Sequence, residues 1–376
     1  MLALEIAFWA SVGLLVYTHV GYPLLLLALS RSRRRDPASA AAGELPAVEL
    51  IVAAHDEERV IGRWVEAALA LDYPSERLTI VVACDGCTDA TADRARAAGA
   101  DRVLELGRGG KVAALNAAAG EARGEVLAFS DANAVWTPDA LRRLVARLAE
   151  PDVAYVCGQV RFTVPAGAPN EEGLYWRYEM AVREMESELG GVTAGNGAIN
   201  AVRREAYIAL EPARGQDISF PFELAKRGSR SVYEAGAVAT EPMAPTIEGE
   251  FRRKRRMMTG AWNTILYTGL LSPRGYRPLY ALQVYSHRLL RYATPMLHLV
   301  ALAANLALLG EGTLYVLTLA AQLALLVAAL LARALPLRPL LIARYYVAVT
   351  AASAVGLWDL LRRGVPRAWG SVEGTR

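Results

Sequence analysis

The sequence predicts an α/β domain, built on a mainly parallel sheet and flanked by transmembrane helices. Three observations lead there. Short β-branched apolar runs alternate with amphipathic stretches between residues 48 and 160, as in a parallel sheet covered by helices. Long apolar stretches stand toward both ends of the chain. Hydrophobic residues make up 54% of the 376, and mean hydropathy is +0.22, more than a soluble α/β protein needs.

Residues 2–29 are almost continuously apolar, interrupted by Glu5, His19 and Pro23. About twenty such residues cross a bilayer core, so the stretch can span with some tilt. Arg31, Arg33, Arg34 and Arg35 follow at once, and an excess of Arg marks a cytoplasmic flank. A signal peptide carries its charges before the apolar core, so residues 1–30 read as an uncleaved anchor whose C-terminal side is inside the cell. Residues 31–46, first basic and then rich in Pro and Ala, make a linker. The α/β domain is expected over 47–245. Within it, strands are expected at 48–54, 78–84, 102–106, 126–130 and 153–160, where β-branched residues cluster. Helices are expected at 57–71, 89–98, 111–123, 138–149, 170–188 and 217–227, with a glycine-rich turn at 193–199.

From 246 to 292 the character changes. Arg252, Arg253, Lys254, Arg255 and Arg256 are consecutive cations, and the aromatic, basic stretch 276–292 reads as interfacial. Residues 293–309 and 313–332 are apolar spans joined by Gly310-Glu311-Gly312. Residues 340–361 make a weaker span, with Arg344 and Asp359 inside it. Arg333, Arg338 and Arg344 lie on one side, and Arg362, Arg363 and Arg367 on the other. Either this segment is re-entrant or interfacial, or the positive-inside rule fails here. A cytoplasmic tail, 362–376, ends the chain.

The net charge of +3 is too small to argue for nucleic acid. Three cysteines make no disulfide framework and fit a reducing compartment. The spans are few and hold few charges, which disfavours a transporter.

Chemistry is expected at the carboxyl ends of the parallel strands, where open α/β sheets bind ligands. The run 126–129 is apolar and delivers Asp131 and Asn133, whose oxygens suit a hard cation bridging phosphates. So short a run also fits a buried helix, and the tripeptide alone also fits a solvated turn. His55-Asp56-Glu57-Glu58 and Cys84-Asp85-Gly86-Cys87-Thr88-Asp89 follow two other strands. Three acidic clusters on one sheet edge call for a counterion or ligand, and a nucleotide diphosphate bound with a metal supplies both. Cys84-x-x-Cys87 is a poor redox candidate, because the intervening Asp raises thiol pKa values, and no matching Cys or His cluster completes a zinc site. Gly107-Arg-Gly-Gly-Lys111 lacks the spacing and the Ser or Thr of a P-loop, but Lys111 at a helix start can meet a phosphate. The run at 252–256 suits either anionic lipid headgroups or a pyrophosphate leaving group. Asp217, read alone, is a helix cap.

Together these residues resemble the family 2 inverting glycosyltransferases of the GT-A fold, particularly the membrane-bound bacterial ones, over about 48–260. Ala53-Ala54-His55-Asp56-Glu57-Glu58 is similar to the opening motif, which normally ends Tyr-Asn-Glu-Glu. Asp85-Gly86-Cys87-Thr88-Asp89 resembles Asp-Gly-Ser-Thr-Asp, and Gly110-Lys111-Val112-Ala113-Ala114-Leu115-Asn116 resembles Gly-Lys-x-x-Ala-Leu-Asn. Asp131-Ala132-Asn133 stands where the metal-binding Asp-x-Asp belongs. Gly195-Asn196-Gly197-Ala198 is similar to the turn that meets the acceptor. Gln216-Asp217 resembles the Glu-Asp pair that carries the base, and Arg253-Lys254-Arg255-Arg256-Met257 stands in for Gln-x-x-Arg-Trp.

The resemblance implies a GT-A nucleotide-sugar-binding domain and an inverting transfer. Asp217 would act as base. His55, Glu57, Asp85, Lys111 and Asp131 would bind the nucleotide. Arg253 and Arg256 would meet the diphosphate, and Gly195, Asn196, Gly197 and Gln216 the acceptor. A divalent cation, Mg²⁺ or Mn²⁺, would sit on Asp131 and Asn133. The expected partners are a nucleotide-diphosphate sugar, a UDP-sugar first among them, membrane lipid, and a lipid-linked or saccharide acceptor. The expected location is the inner (plasma) membrane, multi-pass, with the catalytic domain cytoplasmic. Asn133 in place of Asp removes one charge from the metal site, and His55 replaces the Tyr of the base-stacking position. Met257 for Trp removes an aromatic platform found in processive synthases. With so few spans, this favours transfer of one sugar over polymerisation. The alternatives are a processive synthase whose channel is assembled from several subunits, and a non-catalytic nucleotide-sugar-binding membrane subunit, against which the retained Asp217 argues.

Overall fold

The computed structural model of the chain describes residues 1–31, 44–163, 172–242 and 247–365. Most of the expected linker, with Arg33, Arg34 and Arg35, lies outside the described residues. So do the start of the helix expected at 170 and most of the tail, including Arg367.

The five expected strands form as β1 (Val48–Ala54), β2 (Leu78–Asp85), β3 (Arg102–Leu106), β4 (Val126–Ser130) and β6 (Val153–Thr163). Three more complete the sheet: β5 (Val135–Trp136), β7 (Ile199–Arg203) and β8 (Arg230–Pro242). The sheet runs β3-β2-β1-β4-β7-β6-β8-β5. Its first four strands are parallel, as the alternation predicts. The other half is mixed, because β7 runs antiparallel to both β4 and β6, and β5 antiparallel to β8. Strand β8 escapes the sequence pattern because Ala235, Gly236 and Ala237 fall out of register, between the pairs Gly158↔Glu234 and Gln159↔Val238. A bulge of this kind breaks the period-two alternation that marks a strand.

Both faces of the parallel half are covered, which is why β1, β2 and β4 read as predominantly apolar runs, with Glu49 and Thr79 near the starts of β1 and β2. Leu50, Val52, Ile80, Val82 and Ala128 point to one layer, against Ile61, Trp64, Leu141 and Leu144. Ile51, Ala53, Val81, Leu127 and Phe129 point to the other, against Leu115, Ala118, Phe220 and Leu224. Full burial of each larger side chain contributes about 1.5–3 kcal/mol. A third cluster joins the domain to the C-terminal helices. Ile218 and Phe222 of the Gln216–Lys226 helix meet Trp262 and Ile265 of Ile247–Tyr267, and Leu360 of Arg338–Arg363.

Among the described residues, three helices are long and apolar enough to cross a membrane: Leu2–Arg31, Thr313–Leu331 and Arg338–Arg363. The segment expected at 293–309 forms the helix Thr294–Ala307, 14 residues long, preceded by a π turn, Val284–Leu289, and a last turn, Leu290–Tyr292. The weaker segment at 340–361 lies within an unbroken helix of 26 residues, Arg338–Arg363. Its Asp359, the charge that argued against a span, pairs with both ends of the Arg255 guanidinium.

A fully buried carboxylate ties the N-terminal apolar helix and the domain together. Glu186 of the Glu172–Leu189 helix accepts from Tyr22 Oη at 2.5 Å and from Thr193 Oγ1 at 3.0 Å. His287 Nδ1 lies 2.9 Å away, and Arg288 Nε donates to Thr193 Oγ1 at 2.8 Å. Burial pushes the Glu186 pKa up, but His287 and Arg288 outweigh it and hold the group below the usual carboxylate range. Removing one partner of a buried charged network costs about 3–5 kcal/mol. Glu186→Ala is therefore expected to lower the thermal unfolding midpoint of the detergent-solubilised chain by a corresponding amount. A loss under about 1 kcal/mol, the range of an exposed ion pair, would contradict this role.

Candidate active site

The chain runs outward from β1 through β2 to β3, then returns to place β4 on the other side of β1. That reversal opens a crevice at the carboxyl ends of β1 and β4, where such sheets bind ligands. His55 follows β1, Asp85 ends β2 and Asp131 follows β4. His55 Nδ1 lies 2.8 Å from the Asp85 carbonyl oxygen. Asp56, with φ of 51°, accepts from Thr88 N–H at 2.7 Å. Glu57 is buried, and its backbone N–H donates to Thr91 Oγ1 at 2.8 Å.

Asp85 is buried beneath the 107–110 loop. Its carboxylate accepts from Gly109 N–H at 2.6 Å, from Gly110 N–H at 2.9 Å and from Arg108 Nη1 at 3.2 Å. Gly110 adopts φ of 93°, a conformation that favours glycine, and the turn delivers Lys111 as the first residue of the Lys111–Gly120 helix. Asp85 thereby aims Lys111 at the crevice. The neighbouring thiols differ from expectation. The Cys84 hydrogen bond lowers the Cys87 pKa to about 7, while Cys84 itself is raised by its bond to Cys87 and by burial. Asp85 does not raise Cys87, because its carboxylate is turned to the glycine loop.

The centre of the site is a knot of charge around Gly197. The Lys111 ammonium pairs with the Asp131 carboxylate. A Cβ placed on Gly197 would lie 2.9 Å from Lys111 Nζ, 3.5 Å from Asp217 Oδ1 and 3.6 Å from Asp131 Oδ2. Only a residue without a side chain lets these three groups converge. Strand order explains their meeting: β7 starts opposite the end of β4, with Ser130 paired to Ile199, so the preceding 193–198 loop arrives at this edge. Asn196 fixes the loop, donating to Gly158 O at 2.7 Å and accepting from Ile199 N–H at 3.0 Å. Trp136 Nε1 donates to Ala198 O at 2.8 Å, and Gly195 N–H to Asp217 O at 2.7 Å.

Electrostatics follow from burial. Asp217, in the first turn of Gln216–Lys226, is raised by burial and by Asp131, against the opposing pull of Lys111 and Arg183. For Lys111, burial alone lowers the pKa, but Asp131 and Asp217 more than offset it. Glu241, near the end of β8, is raised to about 8 by burial and by Asp131. Gln216 Nε2 is buried with no hydrogen-bond partner among the described residues.

Beside the knot lies a cavity of about 370 Å³, lined by Gly195, Asn196, Asp217 and Arg256 at one end. It continues to His19, Thr294, Tyr346 and Ser353 on the apolar helices. The cationic run does not act as one patch. Arg253 is held by Glu250 at 2.7 and 2.8 Å, with its guanidinium over the Phe162 ring; Lys254 lies 3.4 Å from Glu250. Arg255 goes to Asp359, and Arg256 and Met257 face the cavity. Asn133 stands two residues beyond Asp131 in the turn before β5.

Sequence reasoning found Lys111, Asp131, Gly197 and Asp217, which the fold brings together. It missed Glu241 and Arg183. Glu241 was hidden with β8. Arg183 shares one helical stripe with Glu179 and Glu186, at i, i+4 and i+7, and all three are buried although charged residues at this spacing ordinarily face water. The described residues also group Asp56, Cys87 and Asp89, whose ligand atoms lie within 4.8 Å of one another. Asp56 accepts from Thr88, and Asp89 from Thr91 and Glu58, so this group closes the β1 and β2 loops.

The family model described as glycosyltransferase-like family 2 matches residues 46–260. A β-monoglucosyldiacylglycerol synthase of Synechocystis sp. is 28% identical over 272 residues, covering 66% of this chain and 55% of that relative. Its counterpart from Nostoc sp. is 30% identical over 220 residues, covering 54% and 46%. The chain thus spans about half the length of the curated relatives it matches. Among solved structures, a mannosyltransferase from Pyrobaculum calidifontis, in complex with GDP-Man and Mn²⁺, has the same fold. Its TM-score is 0.71 at 24% identity, over 96% of this chain and 99% of that one.

The tightness of the 193–198 loop is testable at Gly195, where a Cβ would fall 2.0 Å from Tyr155 Oη. Tyr155 is buried and stacked on Phe220 at 6.0 Å, so it cannot retreat. Gly195→Ala is expected to destabilise by about 1–3 kcal/mol, as overpacking does. Gly62→Ala, on a helix with nothing within 4 Å of its Cβ, should stabilise by up to about 1 kcal/mol. Equal effects of the two changes in thermal denaturation would refute the steric account.

Proposed function

The chain belongs to glycosyltransferase-like family 2, and on that premise we propose that it is a membrane-integral, inverting glycosyltransferase with a GT-A catalytic domain. It moves one sugar from a nucleotide-diphosphate sugar, a UDP-sugar first among the candidates, to the hydroxyl of a lipid-linked or saccharide acceptor. The observation that carries this reading is the meeting of Lys111, Asp131 and Asp217 around Gly197, at the mouth of a cavity that reaches the apolar helices. The relatives named as glucosyldiacylglycerol synthases support a lipid acceptor. Three helices able to cross a membrane support a multi-pass protein of the inner membrane, with the catalytic domain on the arginine-rich, cytoplasmic side.

The residues fit a hard divalent cation, Mg²⁺ or Mn²⁺. Asp131 offers a carboxylate that already faces a positive charge, Lys111, and it raises the Glu241 carboxyl, as crowded anions do. Asp131 and Asn133 would hold the ion, which supplies Lewis-acid neutralisation of the departing diphosphate. The chain's own groups do the rest. His55, Glu57 and the loop anchored on Asp85 line the nucleotide end, and Lys111 meets phosphate at a helix start. Arg253 and Arg256 stabilise the leaving group, since a guanidinium matches phosphate oxygens. Gly195, Asn196, Gly197 and Gln216 shape the acceptor's approach. Asp217 takes the proton of the acceptor hydroxyl. Its oxygen bonds to the anomeric carbon as the bond to the diphosphate breaks, and the electron pair leaves with the nucleoside diphosphate. Single displacement inverts the centre.

Nucleoside-diphosphate release by the detergent-solubilised chain, over a panel of sugar nucleotides with Mn²⁺ or Mg²⁺ and membrane lipids, tests the reading. Asp217→Asn should lower turnover by about 10²–10⁴ while retaining donor binding. Donor binding without turnover in the unaltered chain, under every acceptor, would instead indicate a binding subunit. A base must be ionised to accept a proton, and the Asp217 pKa is raised. The acidic limb of kcat/KM should therefore lie above the ~4 of an ordinary carboxylate, with activity rising as pH rises through it. A limb at or below that value would exclude Asp217 as the base.

A further inference from the structure

We infer that the acceptor is an anionic lipid, one whose headgroup carries a phosphate beside the hydroxyl that is glycosylated, and that Arg183 binds this phosphate. The inference deepens the transferase reading above and rests on it. Arg183 lines the same cavity as Asp217 and Gly195 and is only 5% exposed. Its Nε and Nη1 are buried and have no hydrogen-bond partner among the described residues. The Cys157 thiol pairs with the same side chain, but the Nε and Nη1 N–H groups left in this state cost free energy, so the position calls for a further acceptor atom. The fork of a guanidinium is matched by phosphate oxygens.

The surroundings select the charge and the lipid. Arg183, Lys254, Arg256, Arg288 and Arg291 line the cavity, against the carboxylates of Glu179 and Asp217. Glu179 is already engaged, lying 3.2 Å from both His287 Nε2 and Arg291 Nη2. Lys254 is held by Glu250, and Arg288 by Thr193 and Glu179. A phosphate beside Arg183 would satisfy its orphaned N–H groups with charged oxygens, which a neutral headgroup does not offer. The far end of the cavity opens on His19 of the Leu2–Arg31 helix and on Tyr346, Val349 and Ser353 of Arg338–Arg363. An acyl chain can leave there while the headgroup stays beside Asp217. The phosphate is bound and unchanged; the hydroxyl next to it is the nucleophile.

The test uses the full chain in mixed micelles of neutral detergent with a labelled sugar donor. Diacylglycerol, phosphatidylglycerol and soluble glycerol phosphate are offered singly at equal concentration. Phosphatidylglycerol should be glycosylated with a kcat/KM at least on the order of tenfold above diacylglycerol, the scale of one charge-assisted hydrogen bond. Arg183→Gln should remove this preference, bringing the anionic lipid down about 10- to 100-fold toward the neutral one, and Arg183→Lys should restore part of it. Equal or better use of diacylglycerol by the unaltered chain overturns the inference without any variant. A preference that survives Arg183→Gln, or an effect confined to the donor's KM, overturns the role of Arg183. Glycerol phosphate used as well as the lipid overturns the membrane route. Donor breakdown measured without acceptor reports separately on the transferase reading. Its absence, with no product on any acceptor, sinks both, whereas turnover indifferent to headgroup charge sinks this inference alone.

Discussion

The buried carboxylate of Glu186 is the interaction on which the arrangement of site and apolar helices depends. A charge with no exposure must be satisfied on every side, and Glu186 is satisfied from three parts of the chain. Tyr22 comes from the N-terminal helix, His287 from a π turn more than two hundred residues later, and Thr193 from the loop that carries Gly195 and Gly197. Few geometries satisfy all three at once. The loop's depth relative to the apolar helices is thereby fixed, and with it the distance from Asp217 to whatever the helices hold. Two π turns meet at this point, with Tyr17 Oη 2.8 Å from Ser286 Oγ. Such wide turns re-aim side chains that regular helices would direct elsewhere.

The charge knot at Gly197 obeys the opposite logic, being balanced but not locked. Lys111 neutralises Asp131 through a salt bridge at the open end of the crevice, where an anion can compete for the same ammonium. For Asp217, burial opposes ionisation, and Lys111 and Arg183 keep that opposition in check. Glu241 stands at the edge of this balance. Its raised pKa reflects burial first and then the anions already present, and Arg253, reaching over Phe162 from the Ile247–Tyr267 helix, is among the cations that oppose the rise.

How much of this was legible in the sequence depends on whether a residue's partners lie close in the chain or on a recognisable strand. Asp85, Lys111 and Asp131 were legible because each follows a strand end or opens a helix within one β-α-β succession. Asp217 was legible only through its motif, since a helix-capping Asp looks the same. Glu241 was invisible because Ala235-Gly236-Ala237 break the pattern of β8. Arg183 and Glu186 were not singled out, because charged residues at helical spacing ordinarily face water. The partners of Glu186, Tyr22 and His287, are more than a hundred residues away in sequence and cannot be anticipated from local pattern.

The five consecutive cations show why composition is a poor guide to an interface. Successive helical residues are about 100° apart, so a run of five must point around the whole helix. In the folded chain that geometry is used. Arg253 turns toward the catalytic domain, Arg256 toward the cavity and Arg255 toward Asp359 of the Arg338–Arg363 helix. The Ile247–Tyr267 helix becomes a strut with one charged contact on each body it joins, backed by Trp262, whose Nε1 donates to Ser353 O at 3.0 Å. Asp359, an unfavourable residue for a span considered alone, is then the anchor that keeps Arg256 in register with the helices around the cavity.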